Sequence, residues 1–376
     1  MRIGFDARYL SHGIFGGINS YLRNLLPALF EIAADHTIFL YADTKRPFEL
    51  AELPGNVVLR LVAYRYAVSS IYHDFNLNQV MTEDRLDIVH FPANYGFGSK
   101  AARIVITLHD EINITPLWRI ISGHPKNVRT IVMMTYLHFC SRISVRKADL
   151  IVTISEYAKR QILRWGSLPE DRVTAIHHGK PMDVQRVNDK TEIERVRQLY
   201  EIKNDIVLAD ALKNPGVLVR AWKQLPEEIR LKKEIIFFSR TENVKPEVHE
   251  AVEAGFAKFI LRPERRDLNV FYSMATVFVF PSWIEGFGIP LLEAMTCGAP
   301  IIASDRGAIP EVLGEAGLLI DAEDHQTLAK HLEKLFTQPE ERDRLRESGY
   351  ARVEKFSWKE SASQLLEAYQ KLVANR

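Results

Sequence analysis

Two glutamates stand eight positions apart in Glu285-Gly-Phe-Gly-Ile-Pro-Leu-Leu-Glu293. A strand-like apolar run, Thr276 to Phe280, and Pro281-Ser282 precede them. Ala294-Met-Thr-Cys-Gly298-Ala-Pro300 follows, then a second apolar run, Ile301-Ile302-Ala303. The order is strand, glycine-bearing turn, short helix, turn and strand, a βαβ unit. One carboxylate falls in the turn and the other inside the helix. Gly286 and Gly288 let backbone come close to a ligand. A helix starting near Ile289 aims its free N–H groups and the positive end of its dipole at the same place, which suits an anion such as a diphosphate.

Three other places could carry chemistry. His109, in Val105-Ile-Thr-Leu-His-Asp110, puts a titratable ring at the carboxyl end of a strand, where open α/β sheets bind ligands. The plainer alternative is a histidine that only satisfies loop backbone. Gly16-Gly17, in Gly13-Ile-Phe-Gly-Gly-Ile-Asn-Ser20, comes just before a helix. It lacks the Gly-x-Gly-x-x-Gly spacing of a dinucleotide fingerprint, which excludes a Rossmann oxidoreductase. Lys213, in Ala211-Leu-Lys-Asn-Pro-Gly216, offers a compact positive charge.

Short β-type runs alternate with longer helical patterns, which predicts parallel sheets covered by helices. Strands are expected at 2–5, 37–41, 57–61, 88–91, 103–108 and 150–154, and again at 205–209, 234–238, 258–261, 276–280, 300–304 and 318–320. Tyr21, Leu22, Leu25, Leu26, Leu29 and Phe30 give a helical period over 17–33, and 358–372 reads as a final helix. Between the halves, Ala175-Ile-His-His-Gly179-Lys-Pro181 turns polar and contains glycine and proline, as a linker should.

The stretch Phe280-Pro-Ser-Trp-Ile-Glu-Gly-Phe-Gly-Ile-Pro-Leu-Leu-Glu-Ala-Met resembles the Glu-x7-Glu signature of retaining glycosyltransferases, and of glycosyltransferase family 4 in particular. The resemblance covers most of the chain, most strongly its last third. It implies an α/β, GT-B architecture in which two Rossmann-like domains face each other across a cleft. Residues 1–178 would form the acceptor-side domain and 179–355 the nucleotide-sugar donor domain, with a helix in 356–376 packing back on the first. It further implies that Glu293 binds the ribose hydroxyls of a nucleotide sugar and that Glu285 reaches the sugar near its anomeric region. His109 would contact the transferred sugar, Lys213 the diphosphate, and Gly16 and Gly17 would let backbone approach donor and acceptor. Phe287, Gly288 and Ile289 complete the expected donor site.

The chain also departs from the family. Ile206-Val-Leu-Ala-Asp-Ala-Leu stands where a Val-Gly turn, often followed by arginine, is usual. The turns Phe238-Ser-Arg240 and Ile260-Leu-Arg262 lack an expected glycine too. Arg240, Arg262, Arg265 and Arg266 are candidates for the missing charge. An Asp-x-Asp metal element is absent, and Asp321-Ala-Glu-Asp324 reads as a turn with a helix cap, so neither metal nor cofactor is expected. The opening Arg2-Ile-Gly-Phe-Asp-Ala-Arg8 resembles mannosyl- or rhamnosyl-type members that build surface polysaccharide. That favours a GDP-mannose-type donor, leaves a UDP-sugar open, and makes a glycan or lipid-linked saccharide the expected acceptor. The alternative is a GT-B-fold partner in a glycan-assembly complex that has lost turnover.

Composition bounds the setting. The chain is 47% hydrophobic and 26% charged with net charge +1, an ordinary globular profile with no global field for nucleic acid. Two cysteines, Cys140 and Cys297, fit a reducing cytoplasm rather than a stapled scaffold. Arg2, Asp6 and Arg8 fall where a signal peptide needs apolar residues, and no run reaches the length of a membrane span. Between Leu117 and Trp165, nine basic residues face only Asp149 and Glu156, so this stretch is +7 and the rest −6. With aromatic residues interleaved, it suits the anionic inner face of a membrane.

Overall fold

The computed structural model describes all residues except 12–16, 45–47, 49, 51–52, 63–69, 98–100, 123–126 and 376. The chain divides into two units, one of Met1–Gly179 with Ser357–Arg376, the other of Lys180–Phe356.

The first unit holds strands β1 (Arg2–Asp6), β2 (Thr37–Asp43), β3 (Val57–Val62), β4 (Ile88–Phe91), β5 (Arg103–Thr107), β6 (Leu150–Thr153) and β7 (Val173–Ala175). They form a parallel sheet in the order β3-β2-β1-β4-β5-β6-β7. The chain winds outward one way from β1 and then the other way from β4, so the topological switch lies between those strands. Every residue of β4 and all but the first of β1 are buried, because helices cover both faces of a parallel sheet. Strand β7 was not expected. It is a three-residue edge strand, and its last residue, Ala175, pairs with Thr153 inside the segment that reads as a linker. A strand this short gives no recognisable period.

Helix Gly17–Ile32 lays Tyr21, Leu22, Leu25, Leu26, Leu29 and Phe30 on this sheet. The last helix, Trp358–Ala374, buries Trp358, Ala362, Leu365 and Tyr369 in the same core as Ile3 and Phe5. A buried polar chain ties it down. The His90 ring bonds the Tyr369 hydroxyl on one side and the Thr107 hydroxyl (2.7 Å) on the other, and Thr107 meets the Tyr21 hydroxyl at 3.4 Å.

The second unit holds β8 (Asp205–Asp210), β9 (Lys233–Ser239), β10 (Ala257–Leu261), β11 (Ala275–Phe280), β12 (Ile301–Ser304) and β13 (Leu318–Ile320), in the order β10-β9-β8-β11-β12-β13. All pairs are parallel. This is the doubly wound Rossmann order, whose ligand crevice opens beyond the carboxyl ends of the two strands at the switch, here β8 and β11. No helix among the described residues is long and apolar enough to cross a membrane.

Candidate active site

The crevice of the second unit is built by two strand-to-helix turns. After β8 come Ala211 to Asn214 and the helix Pro215–Gln224. After β11 come Pro281 to Gly288 and the helix Ile289–Cys297. Because β8 and β11 are neighbours in the sheet, the turns meet, and Lys213 Nζ lies 2.6 Å from Glu285 Oε1. Asn214 sits in the left-handed region (φ 53°) and donates to the Pro281 carbonyl (3.0 Å) and the Ala322 carbonyl (2.7 Å), so it staples one turn to the other. Gly288, at φ 101°, caps the second helix in a conformation that only glycine adopts readily.

Glu285 is held at its side chain and at its backbone. Ser282 Oγ donates to its Oε1 (2.8 Å). Its carbonyl accepts from the Ala308 N–H (2.9 Å). Gly307 lies against its backbone so closely that a Cβ there would come within 2.3 Å of the Glu285 carbonyl oxygen. Asp210, at the end of β8, is a third acid in the crevice. Burial raises its carboxyl above the ordinary carboxylate range. A hydrogen bond from the Leu212 N–H and the charge of Lys213 pull the other way, and Glu285 adds to the rise.

Glu293 is placed differently. It lies one helix further in, buried, and takes its partners from the helix Arg265–Met274. Arg265 Nη2 donates to Oε1 at 2.7 Å and the Tyr272 hydroxyl to Oε2 at 3.0 Å. Burial first, then the charges of Glu293 and Asp210, push the Tyr272 hydroxyl well above its usual range, so it stays protonated and donates. Arg265 is shared with Asp183 (3.0 Å). Of the four arginines singled out in the sequence, Arg265 is the one that meets a signature glutamate. Arg240 faces Asp210 electrostatically, Arg262 Nε donates to the Arg240 carbonyl (3.0 Å), and Arg266 pairs with Glu264 (2.8 Å).

Other expected residues divide as follows. The Phe287 side chain is turned into the core against Phe356 (5.9 Å between ring centroids), so only its backbone is left for a ligand. Ile289 opens its helix half-buried. Asp324 caps the helix His325–Thr337, accepting from Gln326 and Thr327. Cys297 is buried, and burial pushes its thiol up to about 12. It is a packing residue.

In the first unit His109 follows β5. Its N–H is held by the Asn94 side chain (3.1 Å) and its ring Nε2 bonds the Pro92 carbonyl (2.9 Å). A carbonyl can only accept, so Nε2 carries the ring proton and Nδ1 keeps its lone pair. Burial pushes the ring down to about 4, so it is neutral at pH 7. Tyr21 stands edge-on to it at 5.2 Å and His178 at 5.9 Å. Gly17 opens the first helix, where a Cβ would meet nothing within 4 Å among the described residues. Gly16 lies outside the described residues. The sequence reading missed Tyr272, Gly307 and the stapling role of Asn214. The one available signal was a glycine just beyond the end of β12. Tyr272 reaches Glu293 only through packing between helices.

Two Rossmann-like units, the second with an acid–base pair at its switch point, place the protein in the GT-B class. Solved structures share this fold. Sucrose-phosphate synthase from Thermosynechococcus elongatus matches with a TM-score of 0.72 at 20% identity over 100% of both chains. WaaG, a glycosyltransferase involved in lipopolysaccharide biosynthesis, matches at 0.68 and 15% over 97% of this chain and 98% of that one. Residues 15–183 match the model of Glycosyltransferase Family 4, and residues 190–352 that of Glycosyl transferases group 1. The chain belongs to the family-4 glycosyltransferases and is a glycosyltransferase. Among its relatives is the O-antigen chain mannosyltransferase B of Escherichia coli, 28% identical over 300 residues, 77% of this chain and 76% of that protein. The serotype-specific mannosyltransferase WbdA of Escherichia coli is 28% identical over 244 residues, 60% of this chain. The matched part is 29% of WbdA, less than a third of its length.

Proposed function

We propose that the protein transfers a sugar, with retention of anomeric configuration, from a nucleoside diphosphate-sugar to a glycan or lipid-linked saccharide in surface polysaccharide assembly. The donor is of the GDP-mannose type. The Lys213–Glu285 contact at the switch point carries this reading. An acid and a base at the carboxyl ends of β8 and β11 serve the two ends of the bond that breaks. When the diphosphate arrives, Lys213 exchanges the carboxylate for phosphate oxygens, and the start of helix Ile289–Cys297 adds its dipole. Glu285, still held by Ser282, is left beside the sugar, where a carboxylate favours an oxocarbenium-like state. The charge on the departing diphosphate is met by protein groups, so the scheme calls for no metal. Glu293, oriented by Arg265 and Tyr272, takes the ribose hydroxyls. His109, with Nδ1 as its acceptor, takes a hydroxyl of the transferred sugar.

The mannosyltransferase relatives and the opening Arg2-Ile-Gly-Phe-Asp-Ala-Arg8 support this donor and this role. The enzyme works in the cytoplasm, in peripheral contact with the inner face of the membrane, where the basic segment 117–165 meets anionic lipid.

The test is turnover of GDP-mannose and UDP-glucose by wild type and Glu285→Ala, with calorimetry of GDP and UDP alongside. The expected result is GDP-sugar turnover that falls about a hundredfold or more in the variant, with an unchanged melting temperature. Wild-type-like turnover in the variant removes the assignment of Glu285. Nucleotide binding with no sugar released or transferred makes the protein a silent partner.

A further inference from the structure

Between Leu117 and Ala148 the chain carries six lysines and arginines and no aspartate or glutamate. Most of this stretch is the helix Val128–Lys147, about 30 Å long at 1.5 Å per residue. Its faces are reversed from those of an ordinary surface helix, which turns its apolar side inward. The buried side holds His138, Ser141, Ser144 and Val145. It is fastened by hydrogen bonds: His138 Nδ1 to the Asn113 carbonyl (3.0 Å), Arg142 Nη1 to the Ile114 carbonyl (2.9 Å), and the Gly96 N–H to Ser144 Oγ (3.2 Å).

The opposite side carries Val128, Val132, Phe139 and Ile143, all exposed, at intervals of four, seven and four residues. That spacing puts them on one stripe. Val128 is 79% exposed and Phe139 55%; Trp118, on the short helix Leu117–Ser122, is 72% exposed. Soluble proteins rarely leave such a stripe in water without a use for it. The charges say what covers it. At about 100° per residue, the exposed Arg129 and Lys147 border one side of the stripe, and the exposed Arg146 lies in line with it. Long cationic side chains can lay their aliphatic stems on apolar surface and carry their heads to a charged interface. A surface that is apolar at depth and anionic at its rim matches both features at once, and a bilayer of acidic lipids is such a surface.

We propose that this face docks on an anionic lipid bilayer, with Trp118 and the stripe Val128, Val132, Phe139 and Ile143 entering the interface and the flanking basic groups meeting lipid phosphates. The inference rests on the membrane contact proposed above and assigns its face and its apolar mode.

The test uses the full chain and vesicles of equal parts phosphatidylcholine and phosphatidylglycerol. Wild type should co-sediment and keep part of its binding at high salt, because insertion is not screened. A Val132→Asp/Phe139→Asp double variant, changed only at exposed positions, should keep the wild-type melting temperature and partition at least about tenfold less. Brominated acyl chains should quench wild-type tryptophan fluorescence, and Trp118→Phe should remove most of that quenching. If the double variant binds like wild type and salt abolishes binding by both, the contact is electrostatic only; the inserted stripe is then wrong while the membrane contact stands. If wild type does not bind, both fall. If wild type sediments as a dimer and the double variant as a monomer, a second copy covers the stripe, and the inference is overturned.

Discussion

At the scale of single residues, the position of Glu285 depends on a residue that does no chemistry. Gly307 has φ +63°, and a Cβ there would sit 2.3 Å from the Glu285 carbonyl oxygen and 2.6 Å from its nitrogen. Backbone cannot swing aside as a flexible side chain can, so Gly307→Ala should push the Glu285 turn away from Lys213. We expect turnover to fall as far as in Glu285→Ala, with a loss of stability on the order of 1–3 kcal/mol read from denaturant unfolding. Full activity in Gly307→Ala would show that the turn tolerates displacement. Lys213→Ala separates binding from chemistry. It removes a point charge from the proposed diphosphate site, so calorimetry should give nucleoside diphosphate binding weaker by roughly tenfold or more. Unchanged affinity would place the diphosphate elsewhere.

At the scale of elements, the informative ones are those whose faces contradict their surroundings. Helix Val128–Lys147 turns serines and a histidine inward and valine, phenylalanine and isoleucine outward. Helix Trp358–Ala374 is ordinary in pattern, yet it brings a tyrosine hydroxyl into a core. The Tyr369 hydroxyl and Thr107 both bond His90, so removing one partner leaves a buried imidazole nitrogen unsatisfied. Tyr369→Phe should cost about 1–3 kcal/mol, measured by denaturant unfolding, while donor affinity stays as in wild type. A variant as stable as wild type would mean that water replaces the hydroxyl. In the first helix hydrogen-bonding side chains set which face turns in; in the second apolar residues do, and the Tyr369 hydroxyl adds a bond to the core.

At the scale of the whole molecule, three buried imidazoles set a pH dependence. Burial pushes His90 down to about 3 and His109 to about 4, and lowers His178 well below its ordinary value. The native state therefore holds these rings neutral where the unfolded chain, with an ordinary histidine near 6.5, takes up protons. Between 6.5 and the folded values the unfolded state binds more protons, so stability falls as pH falls through that window and is level above it. By pH 5, His90 and His109 should each have withdrawn about 2 kcal/mol. Unfolding free energies between pH 7 and pH 5 read the net effect: Asp110, whose carboxyl burial lifts to about 6, takes up its proton first in the folded state and offsets part of the loss, and the three rings together outweigh it. A flat profile there would mean that the rings are protonated, or solvated, in the native state.

Local features of the protein can be read along the chain. Twelve of the thirteen strands among the described residues were legible, because a buried parallel strand is a short apolar run bounded by turns. The apolar spacing of Tyr21 to Phe30 gave a helix and the face it buries. Glu285, Gly288 and Glu293 stood out because the turn, the cap and the helix that hold them are contiguous in the chain. Tertiary structure decided whatever depends on which strands are neighbours. Lys213 and Glu285 are far apart in sequence, and they touch only because β8 pairs with β11. Arg265 and Tyr272 reach Glu293 across a helix–helix contact, Gly307 backs Glu285 from beyond β12, and Tyr369 meets His90 from the far end of the chain. Such contacts follow from sheet order and packing, and a run of residues read one after another has no term for either.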